Sequence, residues 1–230
     1  MKKLKVVSYW PRVGSHWLHS HVKAYNLKNG MQVPGDMVEF FRVKDYPWLK
    51  ADKIKWLEEE RGDGIEYTYK VSTLQLSENH GGEDPGPGAD WFNEFYKDWD
   101  IILLDRKDKW RAFLSYVVMW NADETFTSSY HDHQTIEDRD AYKAKIERGI
   151  EATDIEDKPW FQGLLKWTEA TKALDMKLNG KKMWYEDMTD TKLDKISVPN
   201  RRYIPNTEIN YEDNITNIDY VREIFEKNFV

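Results

Sequence analysis

Apolar positions along this chain alternate between two rhythms, short runs with strand character and longer stretches with helical spacing. The run Leu4 to Val7 predicts a first strand. Trp17, Leu18, Val22 and Tyr25 then recur at helical spacing and predict a helix over 15–27, stopped at Asn29-Gly30. Trp48, Leu49, Ile54, Trp56 and Leu57 form the apolar stripe of a Lys- and Glu-rich helix over 47–61. Residues 65–72 are β-branched and aromatic with alternation, which predicts a second strand ending at Thr73 or Leu74. Glycine and proline crowd 80–88 and make it a surface loop. A short helix is expected over 91–99, and the continuous apolar run Asp100 to Asp105 has the length of a buried parallel strand.

From Lys109 a helix turns Trp110, Phe113, Leu114, Val117 and Val118 inward. Residues 121–136 are polar and turn-rich, and 140–149 predict a charged helix. A stronger helix over 159–178 has Pro159 near its start, Phe161, Leu164, Leu165, Trp167 or Thr168, Leu174 and Leu178 on one side, and Asn179-Gly180 as its stop. Residues 181–185 form a fourth strand, and a last helix over 217–227 turns Ile218, Val221, Ile224 and Phe225 inward. Strands alternating with helices predict an α/β fold with a central, mostly parallel sheet flanked by helices.

Length and composition narrow this picture. The 230 residues suit a single domain, 1–230, able to bury on the order of 70% of its unfolded surface. The first strand starts almost at Met1, and no apolar run approaches the roughly 18 residues of a membrane span. The expectation is a cytoplasmic protein with no membrane partner. Cysteine is absent, so disulfides and thiolate chemistry are excluded. A net charge of −7 argues against nucleic acid as a partner, and means that an anionic ligand would need a locally positive pocket. His131-Asp132-His133 has a metal-ligand spacing without a third or fourth ligand nearby, and no metal site is expected.

Three stretches carry candidate chemistry. Ser8-Tyr9-Trp10-Pro11-Arg12-Val13-Gly14-Ser15-His16-Trp17-Leu18 joins a strand to a helix. Glycine lets backbone N–H groups approach an anion, the helix N-terminus adds its dipole, and Arg12 and Ser15 supply side-chain donors. The Walker A pattern is absent here and elsewhere. Arg106 stands at a strand C-terminus, with Ser115 about two turns into the next helix. Glu39, set against Phe40 and Phe41, is a carboxylate whose pKa desolvation would raise, as a general base requires.

Pro11-Arg12-x-Gly14-Ser15-x-Trp17-Leu18 resembles the phosphosulfate-binding loop of the sulfotransferases, with Val13 and His16 departing from the usual pattern. Arg106-Lys-Asp-Lys109 with Ser115 looks like that family's 3′-phosphate segment, closest to the bacterial carbohydrate branch. Trp184-Tyr185-Glu186-Asp187-Met188 is similar to its late Tyr-Glu-Asp-Leu. The resemblance spans residues 4 to about 190. It implies a P-loop-like three-layer fold and 3′-phosphoadenosine 5′-phosphosulfate (PAPS) as sulfuryl donor, leaving 3′-phosphoadenosine 5′-phosphate (PAP). Arg12, Val13, Gly14, Ser15 and His16 would hold the 5′ end, Trp17 would stack on adenine and Tyr185 would lie near it. Arg106 and Ser115 would hold the 3′-phosphate, with Arg201 and Arg202 as the late basic residues. Arg12 replaces the commoner lysine in steadying the departing phosphate. One branch has a histidine base after Lys-Thr, and Lys70-Val71-Ser72 lacks it. Val38-Glu39-Phe40-Phe41 resembles the Glu-Tyr-Phe of the carbohydrate branch, so the resemblance makes Glu39 the expected base, with His16 second and Lys70 as a helper. The acceptor would be a small molecule or carbohydrate. Two other readings stay open: a non-catalytic nucleotide- or glycan-binding relative, and another nucleotide-dependent transferase such as a kinase.

Overall fold

The computed structural model describes residues 4–11, 18, 70–78, 86–122, 144, 146–189 and 210–230. Four strands among them, β1 (Leu4–Ser8), β2 (Lys70–Ser72), β3 (Asp100–Asp105) and β4 (Lys181–Trp184), form an all-parallel sheet of order β2-β1-β3-β4. The chain is therefore α/β, as its hydrophobic pattern predicts. Lys5 to Ser8 of β1 are all buried, so both faces of the strand are covered and its polarity does not alternate strictly. The expected helices over 15–27 and 47–61 lie outside the described residues, apart from Leu18, which is helical and buried.

Local chemistry sets the element boundaries. The second strand ends at Ser72 rather than Thr73 or Leu74, because Ser72 and Gln75 form a capping box that starts α1 (Thr73–Leu76). Gln75 N–H donates to Ser72 Oγ at 3.2 Å, and Ser72 N–H to Gln75 Oε1 at 2.8 Å. The expected helix over 91–99 is α2 (Ala89–Phe95), which begins after Gly88 and gives way to turns at Tyr96. α3 (Lys109–Ala122) starts at Asp108, whose carboxylate accepts from the Arg111 N–H at 2.8 Å and so caps it. Of the residues expected to face inward on α3, Phe113, Leu114, Val117 and Val118 are buried and Trp110 is half-buried. Ala144, Ile146 and Glu147 are helical, in keeping with the charged helix over 140–149. α4 (Pro159–Leu174) ends four residues before the expected Leu178, in turns that lead to β4. Tyr185 is not the last residue of β4; it opens α5 (Tyr185–Thr189). α6 (Ile218–Phe229) closes the chain with Val221, Ile224 and Phe225 buried.

The chain groups into two compact units, Met1–Lys107 with Lys166–Arg202, and Asp108–Leu165 with Tyr203–Val230. In the first, Val7, Val71 and Leu103 share a register row and pack with Leu76, Phe92, Tyr96, Leu174 and Leu178. Lys5, on the same face, is fully buried; its ammonium donates to Tyr96 Oη at 3.0 Å and lies 4.1 Å from the centroid of that ring. In the second unit Phe113 packs against Phe161, Phe225 and Phe229. There the Asn217 amide pairs with buried Ala152, accepting from its N–H at 3.0 Å and donating to its carbonyl at 2.6 Å. Among the described residues no helix is long and apolar enough to cross a membrane.

Candidate functional site

Parallel strands present all their C-termini at one edge of the sheet, and chemistry-bearing side chains collect there. β1 leads into Tyr9-Trp10-Pro11, β2 into Thr73, β3 into Arg106-Lys107 and β4 into Tyr185-Glu186-Asp187. In the order β2-β1-β3-β4 the chain leaves β1 for one side and returns on the other, so β1 and β3 flank a topological switch point. Side chains on that edge can approach a ligand without breaking the ladder.

The exit from β1 is fixed by several hydrogen bonds. Tyr9 N–H donates to the Leu104 carbonyl at 2.9 Å, extending the pairing with β3. The Thr171 hydroxyl of α4 donates to the Tyr9 carbonyl at 2.6 Å and lies 2.7 Å from the Thr73 hydroxyl, which accepts from Trp167 Nε1 at 2.9 Å. Tyr9 and Trp10 are buried. Burial pushes the Tyr9 phenol well above its usual pKa, and the neighbouring Asp175 and Asp105 add to the shift. Lys182 sits among these groups, 3.1 Å from Asp175 Oδ1 and 3.8 Å from Asp105 Oδ2, with its ammonium 5.0 Å from the Tyr9 ring centroid and 5.1 Å from that of Trp184.

At the exit from β3, Asp105 Oδ1 accepts from the Arg106 N–H at 2.8 Å. The Arg106 guanidinium lies 4.9 Å from the Tyr185 ring centroid, and its Nε is 3.4 Å from Glu186 Oε1. Glu186 Oε2 accepts from the Lys107 N–H at 2.9 Å, and Lys107 Nζ forms a close ion pair with Asp187. Arg106 is only 9% exposed. A guanidinium in so little water interacts strongly with an anion, and its planar fork suits the oxygens of a phosphate.

Of the residues singled out from sequence, Arg106 and Tyr185 are brought together. Ser115 is buried in α3, within the second unit. Arg12, Val13, Gly14, Ser15, His16, Trp17, Glu39, Arg201 and Arg202 lie outside the described residues, as do His131 and His133. The backbone of Lys70 opens β2. Sequence reasoning did not assign roles to Asp105, Lys182, Glu186 or Tyr9. Glu186 stood in the quoted motif, and Asp105 immediately precedes Arg106; a charged residue closing an otherwise apolar buried strand is the signal that could have found the latter. Comparison of the sequence with protein-family models and with curated proteins gives no match.

Proposed function

We propose that this chain is a PAPS-dependent sulfotransferase of P-loop-like, three-layer α/β fold, acting on a hydroxyl or amine of a small-molecule or carbohydrate acceptor. The observation that carries this reading is the meeting of Arg106 with Tyr185 and Glu186 where β3 and β4 end. Two segments 79 residues apart in sequence, each resembling a sulfotransferase motif, meet at the scarcely exposed Arg106 guanidinium, with the Tyr185 ring and the Glu186 carboxylate beside it. The place of this guanidinium beside the β1–β3 switch point suits a nucleotide with anions at both ends, because the loop after β1 starts from the neighbouring strand.

In the reaction the acceptor oxygen or nitrogen forms a bond to sulfur as the bond from sulfur to the bridging phosphate oxygen breaks. The acceptor proton passes to Glu39, with His16 the second choice, and PAP departs. Arg12 stabilises the charge that grows on the leaving phosphate, and Arg106 holds the 3′-phosphate that fixes the nucleotide in line.

The test is calorimetric titration with PAP and with AMP, which lacks the 3′-phosphate. The protein is expected to prefer PAP, and Arg106→Ala to lose roughly ten- to a hundredfold of PAP affinity, the equivalent of one charge-assisted contact of about 1.5–3 kcal/mol. Equal affinity of the native protein for PAP and AMP would overturn the reading.

A further inference from the structure

Glu186 meets two groups at once, one by a hydrogen bond and one by charge. Its Oε1 faces Arg106 Nε at 3.4 Å while its Oε2 accepts from the Lys107 N–H at 2.9 Å, so a single carboxylate from the start of α5 spans the side chain and the backbone leaving β3. Other contacts brace the same turn. Asp105 accepts from the Arg106 N–H, Tyr185 lies against the guanidinium, and Lys107 pairs with Asp187. The Arg106 side chain is 10% exposed and that of Glu186 31%, so the carboxylate is partly wetted whereas the cation is not. The five N–H donors of a guanidinium are coplanar; a carboxylate charge 3.4 Å from Nε and a ring against the guanidinium together bias the direction of the whole fork electrostatically.

We infer that Glu186 is a positioning residue, which aims the Arg106 fork so that this edge of the sheet discriminates for the 3′-phosphate of a nucleotide. The inference rests on the sulfotransferase reading, since it takes the 3′-phosphate of PAP as the group being read. It also runs against simple charge arithmetic. A carboxylate beside an anion site repels the anion, so its removal should tighten binding if charge alone mattered. Weaker binding after its removal would mean that orientation outweighs repulsion.

The experiment is titration of PAP and AMP into the full-length protein and its Glu186→Gln, Glu186→Ala, Arg106→Ala and Arg106→Ala/Glu186→Gln variants, with a melting temperature for each. Glutamine keeps an acceptor for Lys107 but loses the charge that faces Nε, and it is nearly isosteric, so it carries the test if the alanine variant fails to fold. Glu186→Gln is expected to weaken PAP by about three- to tenfold and Glu186→Ala by about tenfold or more, with AMP unchanged. On the Arg106→Ala background Glu186→Gln should have no further effect on PAP, because its effect acts through that arginine. Unchanged or tighter PAP binding in both Glu186 variants would overturn the inference, as would an equal loss for PAP and AMP. If those results accompany a PAP preference that is lost in Arg106→Ala, the sulfotransferase reading survives; if the native protein shows no preference for PAP, both fall.

Discussion

Tyr9 shows how a single side chain can tie pH to stability. Its phenol is held in the protonated form by burial first and by the Asp175 and Asp105 carboxylates second, so the folded state keeps that proton above the ordinary tyrosine value of 10.0. Below that value the phenol is protonated both folded and unfolded, and its contribution is constant. Above it the unfolded chain releases the proton while the folded chain retains it, so stability falls as pH rises. Urea unfolding of native protein and Tyr9→Phe between about pH 9 and pH 11 should show a shallower alkaline decline in the variant. Parallel declines would mean that Tyr9 ionises as freely in the fold as in water. Nothing in the order of residues distinguished Tyr9 from the other tyrosines. The shift arises because the fold buries Tyr9 after β1 and brings Asp175, from the segment after α4, and Asp105 of β3 beside it.

At the scale of elements, two glycines on neighbouring segments should respond in opposite directions. Gly180 reads in sequence as a helix stop, yet α4 has ended at Leu174, and Gly180 instead lets the chain enter β4 closely against β3. A methyl group there would lie 2.8 Å from Leu103 Cγ and 3.1 Å from Ile101 Cγ2, and Leu103 is buried in the core and has little room to move. Gly180→Ala should cost about 1–3 kcal/mol through overpacking. Gly163, inside α4, has nothing within 4 Å of the same position. Gly163→Ala should therefore stabilise by about 0.5–1 kcal/mol, since alanine loses less backbone freedom in a helix. Chemical denaturation of both variants checks the pair; destabilisation by Gly163→Ala would show that the α4 interior has no space for a methyl group. The boundaries that differ from the hydrophobic pattern share one cause. The strand before Thr73 and the helix after Pro159 each end where a cap or a turn competes with the periodicity.

For the whole molecule, the proposed ligand should act on one edge of the sheet. PAP at a hundredfold excess over its Kd is expected to stabilise the fold by about 2.7 kcal/mol, seen as a raised melting temperature. Hydrogen exchange should then slow at the amides of Tyr9, Trp10, Arg106, Lys107 and Glu186, which follow β1, β3 and β4, while those of α6 in the second unit keep their rates. Protection confined to α6 would place the nucleotide elsewhere.

The amino-acid pattern by itself determined the fold class, because a buried parallel strand must be apolar on both faces and a packed helix must repeat every three to four residues. Leu4 to Val7, Asp100 to Asp105 and the face of α3 are legible for that reason. It also marked Arg106 as a strand-end cation and Tyr185 as part of a late motif. That these two are in contact, that the Glu186 carboxylate faces the first, and that Lys182 joins Asp105 and Asp175 beside Tyr9 were decided only by the sheet order and the register of β3 on β4. Pairings across many tens of residues leave no local signature in a chain, since no periodicity links side chains whose nearness depends on which strands become neighbours.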